Sequence, residues 1–180
     1  MAELLHIIEF GHPTLRQQAI DVGALESERT QQLIDDLIMT VRAVNGVGIA
    51  APQVGEANRL FIVASHPNPR YPKAPEMEPT AMINPRILSY SSEVVKGWEG
   101  CLSVPGIRGF VPRYQEINVE YTGRDGKLCC QVLTDFVARI FQHELDHLDG
   151  IVFLDRVESS HDVLTEDEYQ RQIESNDVQG

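Results

Sequence analysis

The chain is poor in cysteine and in positive charge. Three cysteines among 180 residues are too few, and odd in number, for a disulfide framework, which points to a reducing compartment. Fifteen Lys and Arg stand against 27 Asp and Glu, a formal charge of -12. A surface that acidic lacks the clustered cations that phosphate contacts need, so neither direct nucleic-acid binding nor docking on an anionic membrane is expected. No apolar run is long enough to span a bilayer. Residues 1–10 lack a basic segment followed by an apolar core and a cleavage site, so no secretory signal is expected and the cytoplasm is the default. Internal repeats and low-complexity segments are also missing. What is present, 42% hydrophobic and 23% charged residues, suits one ordinary globular domain that folds without staples.

The periodicities sketch an α+β protein. Residues 26–45 read as a helix: Leu33, Ile34, Leu37, Ile38, Val41 and Val44 share a face, Ser27 is a candidate N-cap and Gly46 a stop. Residues 59–64 read as a strand. Five prolines between His66 and Pro79 mark an exposed loop, followed by the apolar run 81–84. Residues 115–121 and 127–133 look like strands joined by the turn Gly123-Arg124-Asp125-Gly126. A second helix is expected from Thr134 and Asp135 to about Asp149, with Gly150 as its stop, then a short apolar run at 151–154.

The late helix carries His143-Glu144-Leu145-Asp146-His147, an H-E-x-x-H. Positions i and i+4 share a helix face, which aims both imidazoles at one point and suits a divalent metal. Glu144 can then serve as general base and later as acid. Phe136 and Ile140 continue the His143/His147 stripe, and Val137, Phe141 and Leu148 lie beside it, so the helix reads as central and buried rather than as a surface histidine pair. Buried His and Glu need partners, and a metal is the commonest shared one. The run after His147, Leu148-Asp149-Gly150-Ile151, supplies no third histidine.

Cys101, in Glu99-Gly100-Cys101-Leu102-Ser103, has three readings: a thiolate ligand, a small buried hydrophobe, or a nucleophile paired with His143. Cys129 and Cys130 are adjacent on an expected strand, point to opposite faces and are given structural roles. Gly46-Val47-Gly48-Ile49-Ala50-Ala51-Pro52-Gln53 is no phosphate loop, having neither the Lys-Ser/Thr pair nor a preceding strand. Its small residues let a ligand backbone approach, and Gln53 offers an amide to polarise a carbonyl. The alternative is a helix cap and tight turn with Gln53 merely exposed.

In that order, GVGIAAPQ, EGCLS and QHELDH resemble the three signature motifs of peptide deformylase. The resemblance extends to His12-Pro13-Thr14-Leu15-Arg16 and to Gly150-Ile151-Val152-Phe153-Leu154-Asp155, expected as a strand after the helix, and covers about residues 5 to 157. It implies an α+β fold, antiparallel β-sheets packed around a central helix carrying the HExxH. It implies an enzyme that removes the formyl group from formyl-methionyl nascent peptides and releases formate. By the resemblance Cys101, His143 and His147 bind the metal, with water in the fourth position. The ion is ferrous iron natively, and zinc, nickel or cobalt in exchanged protein. Glu144 is then base and acid, and Gln53 with the Leu102 backbone N–H stabilises the oxyanion. The backbones of Val47, Gly48 and Gly100 pair with an extended peptide, while Phe136 and Ile140 wall the methionine slot.

One catalytic domain is expected over residues 1–157, followed by an acidic tail, 158–180, with room for a short helix. From Asp155 onward eight acidic residues face two basic ones, Arg156 and Arg171, so any transient ribosome contact would not run through a basic tail. Arg139 lies near the expected pocket, and the Pro-rich loop is placed to shade one side of the cleft. A monomer is expected. Competing readings are an HExxH metallopeptidase, in which Cys101 has no metal role, a non-catalytic binder of formylated peptides, and a Cys-His hydrolase indifferent to chelators.

Overall fold

The computed structural model describes residues 1–177; residues 178–180, the end of the expected acidic tail, lie outside the described part. Three α-helices and eight strands follow the order α1 (Glu28–Ala43), β1 (Gly48–Ala50), β2 (Leu60–Val63), β3 (Thr80–Tyr90), β4 (Val94–Cys101), β5 (Val104–Tyr114), β6 (Glu116–Thr122), β7 (Leu128–Thr134), α2 (Asp135–Leu148), β8 (Val163–Thr165) and α3 (Glu166–Asp177). The strands form two antiparallel sheets. One has the order β1-β2-β3-β6-β7 and the other β4-β5-β8. The expected α+β architecture with a central HExxH helix is what the chain adopts: α2 touches β1, β2, β6 and β7 of the first sheet and β5 of the second.

Alternation along β2 shows how the first sheet is clad on both faces. Phe61 and Val63 pack with Met82, Val119, Ile140 and Phe141 against α2, while Leu60 and Ile62 pack with Leu33, Ile34, Leu37 and Val41 against α1. Side chains on successive residues point to opposite faces, so a strand buried on both sides is apolar throughout. Phe61 and Phe141 meet edge-on, ring centroids 5.1 Å apart at 87°, the arrangement that their quadrupoles favour.

Local signals set the helix ends. The Ser27 hydroxyl accepts from the Thr30 N–H at 3.2 Å, as an N-cap should. The first helix stops at Ala43, short of the expected Asn45, because Asn45 turns left-handed (φ 52°). Strand β7 runs straight into α2. Asp135 makes the corner at φ 50°, its N–H held by the Gln115 carbonyl at 2.8 Å. Gly150 (φ 72°) ends the turn after α2, where a Cβ would lie 2.6 Å from the Arg16 carbonyl oxygen.

The segment expected as a strand after α2 is not one. Residues Phe153–Arg156 form a single 3-10 turn. Asp155 accepts from the Val152 N–H at 2.9 Å and pairs with Arg16 at 2.5 Å, and these local bonds outcompete extension. Arg16 closes the 3-10 turn Pro13–Arg16, so the two outlying motifs of the sequence brace each other. After residue 157 the chain does not leave the domain: β8 pairs with β5, and α3 packs on it. Among the described residues, no helix is long and apolar enough to cross a membrane.

Truncating Phe141 removes the side chain that joins α2 to the first sheet. Phe141→Ala is expected to lower stability by about 3–5 kcal/mol, read as an earlier urea midpoint with an unchanged slope.

Candidate metal centre

The centre forms where α2 passes the end of β4. The helix contributes His143 and His147, one turn apart, with ring centroids separated by 5.1 Å. Cys101, the last residue of β4, brings its thiol to them from the second sheet. One donor atom from each of Cys101, His143 and His147 lies within 4.8 Å of the others. Cys101 Sγ and His147 Nε2 are 3.2 Å apart. His147 is 1% exposed and His143 9%, and Cys101 is half-buried, so three borderline-soft donors are gathered largely out of water. This is the donor chemistry of a zinc or ferrous site. Cys101 faces both imidazoles as well as apolar packing, which speaks against its reading as a mere buried hydrophobe.

The orientation of His143 is set from behind. Its Nδ1 donates to Glu99 Oε2 at 2.8 Å, which turns Nε2 toward Cys101. Burial alone would raise the carboxyl of Glu99, but the Arg113 guanidinium and His143 hold it well below the usual carboxylate range. Arg113 donates to both Glu99 oxygens at 2.8 and 3.0 Å and to Asp146 Oδ2 at 2.6 Å. Asp146 takes two further bonds from Arg156. A buried carboxylate that must stay ionised can only accept, so the proton on Nδ1 is specified by charge.

Glu144 lies beside the ligands on the same helix, 4% exposed. Burial pushes its carboxyl up to about 7, against the pull of His143. Its Oε2 has no hydrogen-bond partner, so one acceptor is kept for a reactant. Gly48 sits over it, and a Cβ there would come within 2.9 Å of both the Glu144 carboxyl carbon and Ile140 Cγ2. Glycine is required at that position by this close approach.

Gln53 is 2% exposed rather than on the surface. Its Oε1 accepts from the Ala50 N–H at 2.9 Å, which turns the amide nitrogen toward Ser103 Oγ at 3.1 Å and Cys101 Sγ at 3.5 Å. Val47, Gly48, Gly100, Leu102, Phe136 and Ile140 all line one cleft with Gln53, Cys101, His143 and Glu144. The sequence reading thus names residues that the fold brings together. His147 lies behind the cleft wall, at the Cys101 sulfur.

Sequence reasoning missed the supporting residues. Glu99 and Asp146 were quoted within motifs but given no role. Arg113 had no signal, since its partners lie 14 and 33 positions away. Tyr71 of the Pro-rich loop lines the cleft, its ring centroid 4.8 Å from that of Phe136. Arg139 lies at the same wall and is spent on Glu99 and on the carbonyls of Val95, Gly97 and Val111. Of the other cysteines, Cys129 packs against the main core and Cys130 is exposed, as opposite faces of a strand require.

The family model described as polypeptide deformylase matches residues 4–163. A curated relative from Nostoc sp., peptide deformylase 2, is 67% identical over 174 residues, spanning 97% of each chain. Another, peptide deformylase 2 of Shewanella oneidensis, is 48% identical over 84% of this chain and 83% of its own. The solved structure of an Acinetobacter baumannii class I type b peptide deformylase with bound Met-Ala-Ser superposes with a TM-score of 0.85 at 48% identity. It covers 87% of this chain and all of the other. A Thermotoga maritima peptide deformylase gives 0.79 at 36% identity, over 87% and 99% of the two chains.

Because Glu99 fixes His143 from outside the ligand set, Glu99→Gln should weaken divalent-ion affinity by about 10- to 100-fold. Competition with a chromophoric chelator reads this directly, and an unchanged affinity would deny Glu99 that role.

Proposed function

The chain belongs to the peptide deformylase family, and from that premise we propose which of its residues carry the reaction and how. The activity is hydrolysis of the N-terminal formyl group of formyl-methionyl nascent peptides, with release of formate. The observation that supports our assignment is the convergence of Cys101, His143 and His147 beside the carboxylate of Glu144, whose buried Oε2 has no hydrogen-bond partner.

Cys101, His143 and His147 are the residues to hold one divalent ion. When bound, such an ion supplies Lewis acidity and brings the pKa of water toward neutrality. Ferrous iron is our choice for the native ion, because one thiolate with two imidazoles suits it; the same donors accept zinc, nickel or cobalt. Thiolate ligation also brings sensitivity to oxidation.

Glu144 takes a proton from the attacking water as its oxygen adds to the formyl carbon. A carboxyl near 7 gives up that proton again easily. Glu144 delivers it to the peptide nitrogen, the C–N bond breaks, and formate and a free methionyl amine result. Charge on the formyl oxygen is met by the Gln53 amide and the Leu102 backbone N–H. The formyl carbon bears only hydrogen, and the tight wall at Gly48 leaves no room for the methyl of an acetyl group.

The methionine side chain enters between Phe136 and Ile140. Strands β1 and β4 are each the edge of their sheet and both border the cleft, so the peptide lies between the backbones of Val47, Gly48 and Gly100 as an added strand. We place this chemistry in one domain, residues 1–157, followed by the acidic extension 158–180, whose strand β8 and helix α3 pack on β5. The enzyme acts as a monomer in the cytoplasm, and contact with the ribosome is transient and does not use a basic tail.

Anaerobically purified protein should release formate from formyl-Met-Ala-Ser, lose that activity to a strong chelator, and leave acetyl-Met-Ala-Ser intact. Glu144→Ala should cut kcat by about 10²- to 10⁴-fold while keeping the metal. Full activity in Glu144→Ala would overturn its role. Cleavage of internal peptide bonds would favour the metallopeptidase instead.

A further inference from the structure

Beside the cleft lies a buried cation that the reaction does not use. Arg108, on β5, is 1% exposed. It lies directly under the edge of the peptide groove, since a Cβ on Gly100 would come within 2.7 Å of its Nη1. It lines both the cleft and the hollow next to it, and Arg70 lines both as well. Two cations along a peptide path would select acidic residues after methionine. An enzyme that meets nascent chains of every sequence has no use for that preference.

The first residue of α3 answers this charge. Glu166 accepts from Arg108 Nε at 2.6 Å and from Nη2 at 3.3 Å, a bidentate pair. The remaining guanidinium nitrogen, Nη1, donates to the Tyr71 hydroxyl at 2.7 Å, and the Gly100 N–H donates to the same oxygen at 3.3 Å. The guanidinium also lies between two rings, 5.2 Å from the Tyr71 centroid and 4.9 Å from that of Tyr169 on α3. Tyr169 in turn donates to the Arg70 carbonyl at 3.3 Å. The acidic C-terminal helix is therefore fastened to the Pro-rich loop and to the groove edge through Arg108 and Tyr169.

We propose that Glu166 is a specificity-determining positioning residue: by neutralising Arg108 under the groove, the acidic C-terminal helix makes peptide binding insensitive to the charge of the residues that follow methionine. This rests on the deformylase reading of the cleft. It gives the acidic helix a role that needs no external partner. It also accounts for why Glu166 faces inward, 31% exposed, while its neighbour Asp167 is exposed.

The test compares metal-loaded wild type and Glu166→Gln on formyl-Met-Ala-Asp, formyl-Met-Ala-Ser and formyl-Met-Ala-Lys. The wild type should show kcat/KM values within about twofold of one another, the size of a weak, screened charge effect. Glu166→Gln should raise the Asp-to-Lys ratio by about three- to tenfold, through KM rather than kcat, and less so at high salt. Glu166→Asp should restore the wild-type ratio. Adding Arg108→Gln to Glu166→Gln should abolish the rise. An unchanged ratio in Glu166→Gln, or a rise that persists without Arg108, would overturn the proposal. Calorimetric binding of the product peptides Met-Ala-Asp and Met-Ala-Lys reads the same ratio without turnover. A wild type that binds them but releases no formate would sink the reading of the reaction, and the binding ratio would still decide the role of Glu166.

Discussion

Everything at the metal centre depends on one buried ionic cluster, Glu99 with Arg113 and Asp146. It joins three elements that the chain delivers separately: β4 supplies Glu99, β5 supplies Arg113 and α2 supplies Asp146. Burial of such a cluster costs each ion several kcal/mol of hydration, by about the amount that its partners return. Its value is therefore geometric. Glu99 fills its oxygens with Arg113, Arg139 and His143, and Arg113 spends its nitrogens on Glu99 and Asp146. With every charge answered, only one docking of the second sheet against the helix satisfies all of them. That docking carries Cys101, two residues from Glu99, to the face of His143 and His147.

The cleft follows from the same docking. A peptide strand needs a sheet edge, and proteins ordinarily protect such edges because unpaired N–H and C=O groups invite association. Here β1 and β4, edges of different sheets, both border one narrow cleft. A cleft bordered by two such edges is where the proposed peptide would add as a strand. Close approach is possible because Gly48 and Gly100 lack side chains where Glu144 and Arg108 press from beneath. The Glu144 carboxylate and the Arg108 guanidinium thus lie directly against glycine backbone at the cleft.

Much of this was legible in the residues, and the limits have physical causes. Helices α1 and α2 carry their periodicity, caps and stops locally, so their existence and near-correct ends could be read from sequence. The hairpin β6–β7 declared itself through its Gly-Arg-Asp-Gly turn. The hairpin β4–β5 did not. Its residues include Gly97, Gly100, Gly106 and Gly109 and two prolines, which blur a strand pattern, although Gly97, Gly100 and Gly109 serve here to admit Arg139, Arg108 and Phe153 at close range. The segment after α2 looked like a strand because Ile151 to Leu154 are apolar, yet Asp155 folds it back on Val152 and Arg16. The pair His143 and His147 on one helix face was legible from spacing alone. Cys101 was legible only as one of three alternatives until the resemblance joined the motifs. Arg113 and the Arg108–Glu166 pair were invisible, because pairs 14 to 58 residues apart leave no periodic trace.

Under the proposed assignment, a ligand set split between a strand and a helix would also tie metal occupancy to tertiary structure. Two histidines on one helix would bind an ion wherever the helix forms, whereas adding Cys101 makes full coordination conditional on the sheet being docked. Binding to the folded state alone stabilises it by RT ln(1 + [L]/Kd), and the stabilised contact is the one that also shapes the peptide groove. The Glu99–Arg113–Asp146 cluster spans the same junction. Charge pairs between the chain's own residues thus hold together the two elements that carry the three candidate donors.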